Sequence, residues 1–397
     1  MVTVTGANGQ TIVTLDMGSN EAAGQALALQ ISNSLDARTA TPSSTVVTAA
    51  NTQPTTGTGV YVGFTANQQV QLAVPNTTEV LSTKGANTVF GSGSLNQRYL
   101  ADNGNLTLLT NGGSSTVVTG DGNNLISVLG GSNVRTGNGN DVIFAFGNNS
   151  VNAGGGTNII VNGNGNDTIT LAGTADVIFG SGTGTISATG GNGTVLIAPA
   201  TQNLNFVGGN GGATVFASTG SDTVTLGNGG GLVFGGTAGR NSLTGGAGAG
   251  GSTLFGGGNG DVITATGFAS NTLVAGPGNS TLTGAASSAN NIFYGFAGNT
   301  SITGGTGADV FVVGGGNSTI NGGAGQDLIA IVAGGAGTVT VQNFNAAEKV
   351  TLQNYGSGEV ARALSTASVG ANTTLTLSDN TRVTFVGVTN LTSSSFI

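Results

Sequence analysis

Cysteine, histidine and tryptophan are absent from the 397-residue chain, which also has only five prolines and four tyrosines. The lack of cysteine excludes disulfides and thiol chemistry, and the lack of histidine excludes imidazole bases and the usual zinc ligands. Eight cationic side chains against sixteen carboxylates leave a net charge of −8. Because no basic patch is present to neutralise a phosphate backbone, we expect no nucleic-acid partner.

Long apolar runs are absent as well. No apolar run is long enough to cross a bilayer, and the opening residues MVTVTGANGQ have neither the basic nor the apolar region of a secretory signal peptide. The sequence therefore predicts no transmembrane segment. The missing leader favours a cytoplasmic protein, whereas the missing cysteine favours an extracellular bacterial one.

Glycine is abundant instead, with 75 residues, and 37% of the chain is hydrophobic. The glycines have no three-residue period, which excludes collagen, and recurring Val, Ile, Leu and Phe clusters exclude plain disorder. From Val117 to Val339 these clusters recur about every nine residues, which is typical of short strands joined by tight turns. The sequence predicts an all-β fold, a parallel β-solenoid (β-roll or β-helix) of about twelve two-stranded coils.

Alternate strands differ in the residues that flank their central aliphatic side chain. In one set the flanks are hydroxyls or amides, as in Thr223-Val224-Thr225, so the aliphatic residue faces inward and a two-column polar ladder faces outward. The ladder residues singled out are Thr168, Thr170, Thr223, Thr225, Thr281, Thr283, Thr338 and Thr340. Such an array is either a solvated sheet face rich in threonine or a regular surface that binds ice or another ordered surface.

The other set of strands carries three consecutive apolar residues, as in Leu232-Val233-Phe234. Because side chains alternate across a strand, at least one apolar side chain in nearly every coil must face outward. The predicted apolar assembly face contains Phe144, Phe179, Phe216, Phe234, Phe255 and Phe293. A bare row of this length exceeds the apolar patches of ordinary monomers, so another copy, a foreign surface or the chain's own ends should cover it.

Several turns share the spacing G-x-G-x-D: TGNGNDVIF (136–144), NGNGNDTIT (162–170), GGTGADVFV (304–312) and GGAGQDLIA (322–330). These turns resemble the calcium-binding nonapeptide of the repeats-in-toxin (haemolysin-type) family, whose members are parallel β-rolls exported by type I secretion. The resemblance covers about residues 115 to 397.

This resemblance implies calcium bound by aspartate carboxylates of the glycine-rich turns. It points first to Asp309 and Asp327, which lie eighteen residues apart and hence in successive coils. It points also to Asp141, Asp167, Asp222 and Asp261. The alternative is that these aspartates cap turns by accepting hydrogen bonds from backbone N–H groups.

Both ends of the chain differ from the repeat. Residues 1–80 are expected to form an N-terminal cap or anchor, with a helix over 19–37 starting at Ser19 and a Thr/Ser-rich linker over 39–59. Residues 81–345 form the glycine-rich solenoid, and 346–397 a C-terminal β cap. That last segment also resembles the uncleaved secretion signal of the same family, which implies an extracellular, secreted or cell-surface protein.

We expect a self-assembling extracellular structural protein, similar to surface-layer or matrix proteins of Gram-negative bacteria. Its copies would form a filament, lattice or biofilm matrix through the apolar face and open solenoid ends, with cell-surface polysaccharide as a further partner. The alternative is an ice-binding or adhesive module that uses the Thr/Asn ladder. An enzyme is disfavoured, because the cations Arg135, Arg240 and Lys349 are scattered and no catalytic constellation emerges.

Overall fold

A computed structural model gives the fold of the chain. It describes residues 1–397 except 7–8, 37–43, 48–59, 64–68, 72–78, 84, 92–95, 175, 181, 191–192, 198–202 and 297. The chain divides into two compact units, Met1–Leu196 and Ile197–Ile397. Short parallel strands dominate both units, which confirms the predicted all-β parallel β-solenoid with one helix near the N-terminus.

Unit 1 opens with an antiparallel hairpin, β1 (Val2–Thr5) and β2 (Thr11–Leu15), and helix α1 (Glu21–Asp36). Two parallel sheets follow, which we call A and B. Sheet A contains β3 (Ser44–Val47), β4 (Val60–Gly63), β6 (Glu79–Ser82), β8 (Arg98–Ala101), β10 (Thr116–Val118), β12 (Asn133–Arg135), β14 (Ser150–Ala153), β16 (Asn166–Leu171) and β18 (Thr183–Ala188). Sheet B contains β5 (Gln69–Gln71), β7 (Asn87–Phe90), β9 (Leu106–Leu109), β11 (Leu125–Leu129), β13 (Val142–Phe146), β15 (Ile159–Asn162), β17 (Val177–Gly180) and β19 (Thr194–Ile197), in which the unit boundary falls.

Unit 2 also has two parallel sheets, named in the same way. Sheet A contains β20 (Leu204–Val207), β22 (Thr223–Thr225), β24 (Ser242–Thr244), β26 (Asp261–Gly267), β28 (Ser280–Ser287), β30 (Asn299–Thr303), β32 (Asn317–Asn321) and β34 (Thr338–Gln342). Sheet B contains β21 (Ala213–Phe216), β23 (Gly231–Phe234), β25 (Ser252–Phe255), β27 (Thr272–Val274), β29 (Ile292–Gly295), β31 (Val310–Val313), β33 (Leu328–Val332) and β35 (Lys349–Gln353). The unit ends with α2 (Glu359–Ser365), β36 (Ser368–Val369), β37 (Thr373–Thr376) and β38 (Arg382–Phe385).

From β4 to β35 successive strands alternate between the two sheets, with β4, β6 and the other even-numbered strands in sheet A, and the coils stack with their strands parallel. Val224, for example, lies in register between Phe206 and Leu243, and all three side chains are fully buried. The coils stack so closely at the corners that side chains are excluded there. A Cβ on Gly227 would lie 1.7 Å from the carbonyl oxygen of Gly209, which explains why glycine occupies such positions.

Helix α1 and the β1–β2 hairpin cover the outer side of sheet A in unit 1. Their apolar residues, including Leu15 and Ile31, form one buried cluster with Leu81, Leu100 and Val118 from three successive coils. The N-terminal segment therefore packs on the side of the coils and buries apolar residues that the sheet would otherwise expose.

The predicted helix over 19–37 is confirmed within two residues of each end, but Ser19 does not cap it. Ser19 lies in a 3-10 turn (Gly18–Asn20), where its N–H and hydroxyl both donate to the carboxylate of Asp121. The charged oxygens of Asp121 are the stronger acceptors, so they take both donors of Ser19. Of the predicted linker, residues 44–47 form β3 and pair in parallel with β4, and the rest of 39–59 lies outside the described residues.

The C-terminal end of unit 2 is closed. Strand β38 pairs in parallel with β34 and antiparallel with β37, and Phe396 forms a parallel bridge with Val350 of β35. The open end expected here for end-to-end association is therefore covered by the chain itself, because residues 346–397 fold back on the last coil. Within the described ranges, no helix has the length and apolar character needed to cross a bilayer.

Candidate binding faces and the buried aspartate ladder

The aspartates of the G-x-G-x-D turns lie inside the coils, just before a strand. At this inward position many coils carry an Asn, Asp or Ser whose backbone N–H donates to the side-chain oxygen of its counterpart one coil later, whereas Ala213 and Gly231 occupy it in two coils of sheet B. In sheet B of unit 2 the series is Ser252, Asn271, Asn291, Asp309 and Asp327, with N···O distances of 2.9, 3.1, 2.7 and 2.8 Å. We call this arrangement the Asx ladder.

The same ladder recurs elsewhere in both units. In sheet A of unit 2, Asp222, Asn241 and Asp261 are linked at 3.3 and 2.9 Å. In sheet B of unit 1, Asn124, Asp141, Asn158 and Asp176 are linked at 2.8, 3.0 and 3.0 Å. In sheet A of unit 1, Asn149 donates to Asp167 at 2.8 Å. Asp and Asn therefore have one shared structural role, which is to satisfy a buried backbone N–H.

Burial raises the pKa of most ladder aspartates above its usual range, including those of Asp141, Asp167, Asp222 and Asp309. The effect is largest where the ladder ends. Burial, with the added repulsion of Asp309, raises the pKa of Asp327 to about 6. Burial, with the added repulsion of Asp327, raises the pKa of Glu348, which occupies the next position, to about 7.

The two end carboxyls lie close together. A Cβ on Gly322 would be 2.5 Å from Oδ2 of Asp327 and 2.6 Å from Oε1 of Glu348. Oδ2 of Asp327 is buried and accepts no hydrogen bond, whereas Oε2 of Glu348 accepts the N–H of Asn345 at 2.9 Å. Because two buried negative charges that lie close together repel, ionising both Asp327 and Glu348 is unfavourable.

The calcium sites that the family resemblance implies at the six aspartates stay a prediction. Asp309 and Asp327 do occupy successive coils, but Oδ1 of each of the six is already an acceptor for a backbone N–H of the preceding coil. Calcium requires six to eight oxygen ligands, and the described part of the chain brings no three acidic side chains together as a metal site. The turn-capping alternative, extended into a ladder, accounts for Oδ1 of each aspartate, whereas Oδ2 of Asp141, Asp222 and Asp327 is buried and accepts no hydrogen bond.

The polar ladder threonines all point outward, with an inward aliphatic residue between each pair. At the start of β28, β30 and β32 a third column, formed by Asn279, Asn299 and Asn317, joins them. Nδ2 of Asn299 donates to Oδ1 of Asn279 at 2.8 Å, and Nδ2 of Asn317 donates to Oδ1 of Asn299 at 2.9 Å. With Thr281, Ser301 and Thr319 these amides line a shallow depression of about 370 Å³.

The outward face of sheet B in unit 2 carries a row of stacked phenylalanines. The rings of Phe216 and Phe234 lie 5.1 Å apart and those of Phe234 and Phe255 lie 5.0 Å apart, with interplanar angles of 8° and 7°. Phe216 is 42% exposed and Phe234 is 36% exposed. In unit 1, Phe144 is half-buried on the corresponding side of β13, and the side chain of Phe179 lies outside the described part of the chain.

Phe293 does not belong to the apolar face. It is fully buried and stacks on Phe311 with ring centroids 5.1 Å apart. Asn291 is an inward ladder residue, so alternation along the strand turns Ile292 outward and Phe293 inward. The asparagine two positions earlier was the signal in the sequence. The same face of unit 1 includes Phe146, 39% exposed, which the count of three-residue runs missed.

No protein-family model matches the chain, and no curated protein matches it. The outward faces of the sheets, the Asx ladder and the covered end of unit 2 are therefore the features from which a function can be inferred.

Proposed function

We propose that the protein is a self-assembling extracellular structural protein whose copies associate laterally. The observation that carries the proposal is the stacked row of Phe216, Phe234 and Phe255 on the outward face of unit 2. Aromatic side chains make up only 5% of the sequence, so three stacked rings on an exposed surface need an explanation. Aromatic residues are enriched in the cores of protein interfaces, where they bury large areas at low entropic cost.

A second copy of the chain is the partner that this row fits. Stacking holds the three rings in one orientation before binding, so little side-chain entropy is lost when they are covered. A row of this kind can pack against the same row of a second copy in an isologous contact. Charge does not oppose the contact, because the strands that carry the rings contain no charged residue.

The test compares the variant Phe216→Thr/Phe234→Thr/Phe255→Thr with the wild-type protein by negative-stain electron microscopy and sedimentation velocity. Threonine is a strand-forming residue, so the coils should persist. The control variant, Val207→Thr/Val262→Thr, removes exposed apolar side chains from sheet A of the same unit. Assemblies that are lost in the first variant and kept in the second support the proposal, and equal assembly of all three proteins refutes it.

The proposal includes an extracellular location and export by a type I route, in line with the resemblance of the turns to the repeats-in-toxin family. Fusing residues 346–397 to a reporter and measuring its release from cells with and without a type I transporter tests this part. Release that does not depend on the transporter contradicts it.

A second candidate function is supported by the three-column array of Asn279, Thr281 and their counterparts in the next two coils. This uncharged, regular surface suits an ice surface or a neutral polysaccharide. The exposed apolar Val262 lies in register with Thr281 and interrupts the array in the preceding coil, which favours the assembly function. Thermal hysteresis of the purified protein, compared with a Thr281→Val/Ser301→Val variant, tests the alternative.

A further inference from the structure

Strand β35 is the last strand of sheet B in unit 2, and its outer edge is covered by a short segment. Val350 forms a parallel bridge with Phe396, and the N–H of Ile397 donates to the carbonyl oxygen of Val350 at 3.0 Å. Nζ of Lys349 donates to the carbonyl oxygen of Ser394 at 2.8 Å. We call residues 394–397 the strap.

The strap covers this edge far less completely than β38 covers the neighbouring edge. Strand β38 pairs with β34 over four residues, Thr338↔Arg382 to Val341↔Phe385. Strand β35 is five residues long, yet its outer edge pairs with the described chain at one bridge. Every second residue of a parallel strand directs its N–H and C=O to the same edge, so Leu352 presents backbone groups beside those of Val350.

The strap's two apolar side chains are packed to different degrees. Phe396 is half-buried, whereas Ile397 is 73% exposed, and a cavity of about 450 Å³ lies beside the strap. This cavity is lined by Phe344, Lys349, Val388, Leu391, Thr392 and Ser394. A segment that pairs at one bridge can be displaced by a strand that makes more backbone hydrogen bonds.

We propose that the outer edge of β35 is the docking site for a second copy of the chain, and that the strap occupies this edge until a strand of that copy displaces it. The inference rests on the proposed self-association and adds a second, end-to-end contact. The matching edge is β5, the first strand of sheet B in unit 1, for which the described residues show pairing with β7 alone. A contact between two different edges is heterologous and extends into filaments.

The experiment removes one hydrogen bond of the strap. Ile397→Pro eliminates the N–H that donates to Val350, whereas the control Ile397→Ala keeps it. Both changes are made in the Phe216→Thr/Phe234→Thr/Phe255→Thr chain, so that lateral association does not contribute. Filament length is measured by electron microscopy, and the concentration needed for assembly by sedimentation velocity. We expect Ile397→Pro to assemble end to end at about tenfold lower concentration, the change that follows from losing one competing backbone hydrogen bond.

A second variant, which ends at Ser395, removes both Phe396 and Ile397. Its end-to-end assembly tests the inference if the proline disturbs the fold. Folding of each variant is checked by circular dichroism. The inference is overturned if the folded truncated chain assembles no better than the parent, or if Ile397→Ala promotes assembly as strongly as Ile397→Pro. These outcomes can be told apart from those of the lateral test. Lateral assembly through the phenylalanine row is measured in chains whose strap is unchanged, whereas end-to-end assembly is measured in chains that lack the row.

Discussion

The backbone N–H of Asp309 donates to Oδ1 of Asp327, its counterpart one coil later, at 2.8 Å. Asn291 stands in the same relation to Asp309 at 2.7 Å. Oδ1 of Asn291 in turn accepts the N–H of Asn271 at 3.1 Å. An amide and a carboxylate thus serve in one role, which is to accept a hydrogen bond from a backbone group that the coil has buried. This relationship explains why a turn that resembles a calcium site can also carry asparagine.

Asp327→Asn should preserve or raise stability at pH 7.5, whereas Asp309→Asn should lower it. Oδ2 of Asp327 has no partner, so an amide there removes repulsion without losing a bond. Oδ2 of Asp309 accepts the N–H of Gly305 at 2.7 Å, and an amide would leave that N–H unpaired, at a cost of about 1–3 kcal/mol. Urea unfolding with and without millimolar calcium measures both effects. Calcium-dependent stabilisation that both substitutions abolish would favour metal ligation over the ladder.

The stability of unit 2 should fall as pH rises from about 5 to 8. The pKa of Asp327 is raised to about 6 and that of Glu348 to about 7, both above the unfolded values of about 4. The folded state therefore binds more protons, and the stabilisation is complete below about pH 4 and is lost as pH rises through 6 and 7. Thermal unfolding across this range measures it. Glu348→Gln should flatten the dependence, and an unchanged slope in that variant would contradict the assignment.

Truncation of two phenylalanines of sheet B should affect different properties, namely stability for Phe311 and assembly for Phe234. Phe311 is fully buried against Phe293, so Phe311→Ala leaves a cavity and should cost about 3–5 kcal/mol. Phe234 faces outward, so Phe234→Ala should cost under about 1 kcal/mol in the monomer and weaken assembly instead. Urea unfolding at low protein concentration separates the two effects. Similar losses for both residues would show that the outward row is part of the folded core.

Asp121→Ala should loosen helix α1 without unfolding the coils. Asp121 accepts the N–H and hydroxyl of Ser19 and also the N–H of Asn138 at 2.9 Å. Losing a charged acceptor for these groups should raise amide hydrogen exchange in residues 21–36 about tenfold. Asp16→Ala, which removes only a weaker contact to Gly18 at 3.3 Å, is the matched control. Equal exchange in the two variants would contradict a docking role for Asp121.

The solenoid could be predicted because the repeat is local. A strand such as Thr223-Val224-Thr225 has a single aliphatic residue between two polar ones, so only one register buries it. A run of apolar residues such as Ile292-Phe293 permits two registers, and the inward Asn291 decides between them. The sequence alone therefore placed the threonine face correctly and placed Phe293 on the wrong side.

Contacts between distant residues could not be predicted from the repeat. The bonds from Ser19 to Asp121 join residues 102 positions apart, and that from Ile397 to Val350 depends on how the last segment folds back. Both involve residues outside the periodic pattern, where neither the spacing nor the composition identifies the partner. The calcium sites stay a prediction for a related reason, because aspartate in a glycine-rich turn serves equally as a metal ligand or as a hydrogen-bond acceptor.

Each rung of the Asx ladder presents the same donor to one neighbour and the same acceptor to the other. If a coil that carries a ladder residue were duplicated or deleted, the coils on either side would therefore meet with the same donor facing the same acceptor. The gene for such a chain can change in length by copy number alone. In the proposed assembly, every added coil that carries an outward ring would extend the lateral contact by one step, so the strength of association between copies would follow the number of coils.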